Sequence, residues 1–298
     1  MVKKGKKPVG RIWLSMALSL LGGGGAATAV ADSGTNEFLD LDLYELVNIT
    51  VTSVSKREQR LSETAAAVFV ITQEDIRRFG VTSIPDALAM APGLQVAKIS
   101  ASKWSVSSRG FSGYLSNKLL VLIDGRSVYS PLYGGVFWDS NNVMLEDIER
   151  IEVIRGPGGT IWGANAVNGV INIITKKASE TQGGLVRVGG GTGDTLTTAA
   201  RYGGKISETA FARFYVTYDN LGSNTLAGTG DDAGDGWHPM QGGFRMDGTP
   251  GNGNEWTLQG DVYKNGGDQI VFPYWISTPP FQVAIDDDVK VSGFNLLG

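Results

Sequence analysis

The residues that most invite a chemical role are 155–177, RGPGGTIWGANAVNGVINIITKK. A strand-like run, IERIEVI, leads into four glycines, and a second run, GVINIIT, follows with a fifth at its start. A glycine-rich turn between a strand and a helix can cradle a phosphate on its backbone N–H groups. That chemistry needs a lysine beside serine or threonine after the last glycine, or a helix opening at the glycines. Here Gly163 is followed by Ala164 and Asn165, and no lysine lies between Arg155 and Lys176. GVINIIT is β-branched and reads as a strand. The glycines are therefore assigned to tight turns and close backbone packing rather than to phosphate binding.

Other candidates for chemistry fall away on composition. DDAGDG, Asp231 to Gly236, resembles the start of a calcium loop. Its third position is Ala233 and its twelfth is Gly242, where oxygen ligands are required. It reads as a solvated loop, as does the run Asp286 to Asp288. His238 is the single histidine, there is no cysteine, and no Ser, Cys or carboxylate constellation surrounds His238 in the sequence. No disulfide framework, Cys/His metal site, cofactor or enzyme activity is expected.

The N-terminus has its own chemistry. MVKKGKKPVGR carries five basic residues and no acid, Ile12 to Leu21 is a short apolar run, and Ala29-Val30-Ala31 is a small-x-small cleavage site. This is the build of a secretory signal peptide, residues 1–31. Without those five basic residues the net charge moves from −4 to −9, the wrong sign for a nucleic-acid partner. No later apolar run reaches about 18 residues, so any membrane crossing must use strands.

Three textures follow in the 298 residues: a polar segment at 32–62, a compact mixed region at 63–178, and a Gly-, Thr- and aromatic-rich region at 179–298. In the middle region AAVFVIT reads as a strand. Thr72 caps a helix with Asp75 three residues on, Arg77 and Arg78 close its last turn, and Gly80 stops it. Ser83 and Asp86 repeat the capping pattern around Pro85, with the helix expected to run to Pro92-Gly93. LQVAKI and KLLVLID read as strands, DGRSVY as a turn through Asp124-Gly125, and LEDIERIEVIRGP as a helical turn entering a strand.

The last region alternates with period two. Ala210, Ala212, Phe214, Val216 and Tyr218 oppose Thr209, Phe211, Arg213, Tyr215 and Thr217. Residues 196–206 and 255–263 alternate likewise. Alternation alone fits a soluble antiparallel sandwich as well as a tilted membrane strand. Short connections near Ser207-Glu208, long ones at 221–239 and 265–288, and the export signal favour a membrane barrel.

Residues 46–177 resemble the TonB-dependent outer-membrane receptors, in which a plug domain sits inside a 22-stranded barrel. The resemblance rests on VTSVSKREQRLSETAAAVFVITQEDIRRFG, IPDALAMAPGLQV, SSRGF, LLVLIDGRSVY and IERIEVIRGPGGTIWGANAVNGVINIITKK, in that order. It implies an α+β plug domain at 63–178, followed by the first five or six strands of an antiparallel transmembrane β-barrel. A plug of about 130 residues has a radius of gyration of roughly 14 Å. A barrel of only eight strands has no room for it. The chain is accordingly expected to be the N-terminal part of a longer protein.

The resemblance also implies function: energised uptake of a scarce, bulky nutrient across the outer membrane, a ferric siderophore first, with cobalamin or an oligosaccharide as alternatives. A TonB box is expected at Ile49, Thr50, Val51, Thr52, Ser53, Val54 and Ser55, where TonB, working with ExbB and ExbD, would pair by strand addition. A plain linker or a first plug strand is the alternative for that segment. Arg109 and Arg155 match plug arginines that dock on barrel glutamates. Lys103, Trp104, Tyr114, Tyr129, Tyr133 and Trp138 are the expected cargo contacts on outward plug loops. A receptor that signals without uptake, and an exported β-sandwich enzyme, remain as other classes.

Overall fold

The structure is a computed structural model that describes residues 50–51, 59–60, 67–113, 115–192, 195–251, 253–271 and 285–298. The signal peptide assigned to 1–31, five of the seven TonB-box residues (Ile49 and Thr52 to Ser55) and Tyr114 lie outside them.

Among the described residues the plug is built on a five-stranded sheet with three short helices. Its first strands, β1 (Thr50–Val51) and β2 (Gln59–Arg60), form a separate antiparallel pair in which Thr50 faces Arg60. The main sheet runs β3 (Ala67–Thr72), β8 (Ile148–Arg155), β9 (Gly169–Thr175), β6 (Leu119–Ile123), β7 (Arg126–Ser127). β6 and β9 pair in parallel, the other neighbours antiparallel. β4 (Leu94–Lys98) and β5 (Trp104–Ser108) make a hairpin apart from it.

Local chemistry explains most boundaries. Helix α1 (Gln73–Phe79) starts at a reciprocal capping box: Asp75 N–H donates to Thr72 Oγ1 at 3.2 Å and Thr72 N–H donates to Asp75 Oδ2 at 2.8 Å. Gly80 ends it at φ 62°, a conformation that costs glycine little. Helix α2 (Ile84–Leu88) is capped by Ser83 but stops at Leu88, short of the expected Pro92. Beyond it, Met90 and Ala91 instead make three-residue turns onto Ala87 and Leu88. The glycine-rich loop holds one helical turn, α3 (Gly159–Trp162), where no helix was expected. β5 was also unexpected, because three of the five residues of WSVSS are serine and it carries little hydrophobic pattern. Asp124 at φ 48° and Gly125 at φ 81° form the expected tight turn between β6 and β7.

β6 is buried along its whole length, and that splits the core in two. Leu119, Val121 and Ile123 pack on one face with Ile76, Leu88, Ile151 and Ile171. Leu120 and Leu122 pack on the other with Ile154, Ala166 and Val170. A strand covered on both faces needs a continuous apolar run, which LLVLI supplies.

The second sheet is an antiparallel meander of six strands: β10 (Gly183–Gly191), β11 (Thr195–Ser207), β12 (Ala210–Asn220), β13 (Trp237–Gly248), β14 (Trp256–Val271) and β15 (Ile285–Leu297). β14 is longer than the alternation at 255–263 suggested. The sheet is inside out compared with a soluble sandwich. Val186, Val188, Tyr202, Phe214, Val216, Val262, Phe294 and Leu296 point away from the plug and are exposed, Phe294 by 83%. The opposite, odd-numbered face carries Arg213, Gln241, Asp247 and Asn265, all buried. Polar residues inside and bare apolar residues outside are what a bilayer-facing wall requires, and a water-facing sandwich would invert them.

Candidate functional site

Two features concern function: the seam where plug meets wall, and a cleft at one end of it. Charged side chains from three wall strands converge at the seam on the ends of β6, β8 and β9. Asp147, in the turn before β8, is 1% exposed. It is ion-paired with Arg201 of β11 and with Arg213 of β12, the latter at 3.4 Å. Arg213, 4% exposed, also donates to the Lys176 carbonyl at 2.7 Å and to Thr175 Oγ1 at 3.0 Å.

A second centre lies beside it. Asp124, in the β6–β7 turn, accepts from Thr175 N–H and Thr175 Oγ1, both at 2.8 Å, and from Gln259 Nε2 at 3.1 Å. Arg245 of β13 approaches Asp124 at 3.6 Å and is held by Asp247 at 2.9 Å. Asp247 in turn accepts from Ala178 N–H at 2.6 Å and Thr257 Oγ1 at 2.7 Å. At the rim, Glu146 pairs with Arg187 at 3.3 Å and Lys177 with Glu255 at 3.0 Å.

The polarity is a finding. In four of these five described ion pairs between plug and wall, the plug supplies the carboxylate and the wall the guanidinium. Breaking a buried pair costs far more than the pair adds over a hydrophobic equivalent. Such a cluster therefore fixes where the plug sits more than it adds to stability. Arg201 and Arg213 both stand at odd positions of their alternating strands, which by itself names no partner for either. A charged residue on the inward face of a barrel strand was the available signal.

The sequence-assigned arginines lie elsewhere on the plug. Arg109 is exposed, with φ 57°. Arg155 donates to the Pro92 carbonyl at 3.0 Å, and its Nε is buried without a partner. Arg109 Nη2 lies 3.7 Å from where a Cβ on Gly156 would stand, and Arg155 Nη1 lies 3.4 Å from where one on Gly93 would stand. Neither makes an ion pair among the described residues.

The cleft, about 970 Å³, lies at the end of the wall that carries the long connection 221–236. The plug is tied to the wall there too. Ala101 N–H donates to Asp235 Oδ2 at 2.8 Å, Lys103 Nζ to Gln269 Oε1 at 3.2 Å, and Asn265 Nδ2 to the Asp139 carbonyl at 2.9 Å. Burial pushes the Asp139 carboxyl above its usual range, against the Ser140 hydroxyl and the Lys103 charge, which pull it down. Burial likewise raises the Tyr129 phenol. Burial alone would raise Asp235, but hydrogen bonds from Asn224, Ala101 and Ser223 outweigh it and hold that carboxyl low.

Of the expected cargo contacts, Lys103 and Tyr129 line this cleft. Trp104 and Trp138 line a smaller chamber instead, and Trp138 also packs against the plug core. The Tyr133 ring sits edge-on to Phe137, with centroids 4.8 Å apart. Arg126, Asp139 and Gln269 border the cleft and were missed, because their neighbours in space are distant in sequence.

Comparison with known proteins agrees with this architecture. Residues 60–170 match the TonB-dependent Receptor Plug Domain. A Vitamin B12 transporter BtuB of Vibrio vulnificus is 36% identical over 141 residues, 47% of this chain and 23% of that protein. The Photobacterium profundum Vitamin B12 transporter BtuB is 27% identical over 219 residues, 67% of this chain and 36% of its own length. The pyoverdine outer membrane receptor FpvA of Pseudomonas aeruginosa superposes with a TM-score of 0.60 at 20% identity, over 75% of this chain and 32% of that one. The chain thus spans about a third or less of the length of these three proteins. With the match over residues 60–170, the chain carries a TonB-dependent receptor plug domain, followed by antiparallel strands of the barrel type seen in these relatives.

Proposed function

We propose that the whole protein imports a bulky metal chelate, a ferric siderophore or a corrinoid, across the outer membrane by TonB-dependent active transport. One observation carries the reading: a wall with its apolar face bare has its polar face closed by a plug seated on buried ion pairs. A lumen blocked in this way passes no bulky solute by diffusion, so uptake needs work done on the plug. The outer membrane has no nucleotide supply, and TonB, with ExbB and ExbD, delivers that work from the inner membrane. The chelate class is shared by relatives named for vitamin B12 and by structural neighbours bound to pyoverdine.

Residues 49–55 are the proposed TonB contact. Among the described residues, Thr50 and Val51 pair with Arg60 and Gln59, so this backbone is already extended as strand addition requires. Arg109 and Arg155 are the proposed docking pair for carboxylates elsewhere in the protein. Signal peptide cleavage after Ala31 and an outer-membrane location complete the reading. In cells carrying the intact gene, deletion of residues 49–55 abolishes chelate uptake while surface binding of the radiolabelled chelate persists. Uptake at the wild-type rate in the deletion strain refutes the proposal.

A further inference from the structure

The bilayer-facing side of the wall changes character along β14 and β15. Val216, Val262 and Phe294 share one row across β12, β14 and β15, and all three are exposed. The next row toward the long connection 221–236 holds Tyr218, Met240, Lys264 and Ser292. The row beyond it holds His238, Gly266 and Lys290. The register puts these even-numbered residues on the same face as the apolar row, and Lys264, Lys290 and His238 are exposed there. Lys264 and Lys290 are diagonal neighbours on adjacent strands, about 7–8 Å apart.

Strand geometry sets their depth. Barrels keep short connections on the periplasmic side and long ones outside, so the lysines stand at the outer end. Trp256 opens β14 at the other end, on the same face. Lys264 follows eight residues later, about 27 Å along the strand. At a tilt of about 40° that is about 21 Å along the membrane normal, against an apolar band about 25 Å tall. A lysine stem lies along apolar surface and lifts its ammonium to the polar edge. The two charges therefore emerge at the headgroup plane of the outer leaflet.

Neither lysine has a hydrogen bond or ion pair among the described residues. At the opposite end of the wall, by contrast, Lys205 is paired with Glu208 at 2.9 Å. Asp268 and Asp288 oppose each other one row further out on the same face, and no ion pair joins them to the lysines. These carboxylates decide the source of an anion. A free anion arrives from solvent past both of them and is repelled. A phosphate carried by a lipid arrives from the bilayer side, with its acyl chains on Val216, Val262 and Phe294. We propose that this patch of wall binds a phosphorylated lipid of the outer leaflet, with Lys264 and Lys290 on its phosphate groups and His238 beside them. The inference rests on the barrel reading of the wall and not on TonB-dependent uptake.

The test uses the intact protein, delipidated in detergent, and bisphosphorylated lipid A, with native mass spectrometry reading the bound lipid. The same lipid stripped of its phosphates and inorganic phosphate are the comparison ligands. Saturable binding of the bisphosphorylated lipid is expected, and weaker binding of the stripped one. A lysine beside an anionic headgroup contributes about fivefold, so Lys264→Gln and Lys290→Gln should each weaken binding about fivefold and together about 25-fold. Lys264→Arg with Lys290→Arg keeps both charges and should bind within about twofold of wild type. Lys205→Gln, at the other rim, should change nothing. Should the double Gln variant fail to fold, the stripped lipid on wild-type protein reads the same contact. Equal affinity of wild-type protein for the two lipids overturns the proposal, as does undiminished binding by the folded double Gln variant. Displacement of the lipid by inorganic phosphate at comparable concentration reveals a free-anion site and overturns it as well. None of these readouts depends on uptake, so failure here leaves the transport proposal to its own test.

Discussion

Removing Asp147 should unseat the plug. The carboxylate is 1% exposed and faces two guanidinium groups, Arg201 and Arg213, which have 10% and 4% of their side chains exposed. At 3.4 Å and an effective dielectric near 20, the Asp147–Arg213 attraction alone is about 5 kcal/mol before desolvation is counted. Asp147→Ala leaves both arginines buried without it, and removal of one partner from such a pair costs about 3–5 kcal/mol. Arg213 keeps its bonds to the Lys176 carbonyl and Thr175 Oγ1, so the lower end, about 3 kcal/mol, applies. That energy corresponds to a rise in plug opening on the order of a hundredfold. Hydrogen exchange of the β8 and β9 amides in the intact protein reads it directly. Asp147→Ala combined with Arg201→Met and Arg213→Met should recover most of the loss, because no charge is then stranded. Exchange at the wild-type rate in the single variant would refute the reasoning, as would a triple variant worse than the single.

Other consequences follow from the same structure. Asp235 is held low by its hydrogen bonds, so its contribution to loop 221–236 is complete above the unfolded carboxyl value of about 3.9 and is lost as pH falls through the lower folded value. Proteolysis of that loop should therefore accelerate only in this acid window, and Asp235→Ala should expose the loop at neutral pH. Val216→Arg places a charge on the apolar face of β12 and should cost up to about 2–4 kcal/mol, read as a lower urea midpoint in liposomes. Gly169→Ala puts a Cβ 2.4 Å from the Ile154 carbonyl and should separate β9 from β8, lowering plug Tm with the wall intact.

The plug elements were legible in the sequence because their signals are local. Thr72 with Asp75, Gly80 after Arg78, and Asp124-Gly125 each act over a few residues. The alternation of β11 and β12 was equally plain. Its meaning was open, since the same period suits a sandwich with a wet face and a barrel with a greasy one. Burial decided it: Phe214, Val216 and Tyr218 are exposed while Arg213 is buried. β5 escaped notice because its serines are buried by neighbours outside the segment. Ser105 bonds the Gly113 carbonyl and Ser108 the Gly93 carbonyl.

By itself, then, the amino-acid sequence determined the caps, the turns, the two-fold period of the wall and the plug domain. These depend on dihedral preferences and side chains within a few positions of one another. Only the tertiary structure decided which charges meet. Asp147 and Arg201 are 54 residues apart, and Asp124 and Gln259 are 135 apart. Electrostatic pairing depends on distance through space and on exclusion of water, and neither exists until the plug is seated against the wall.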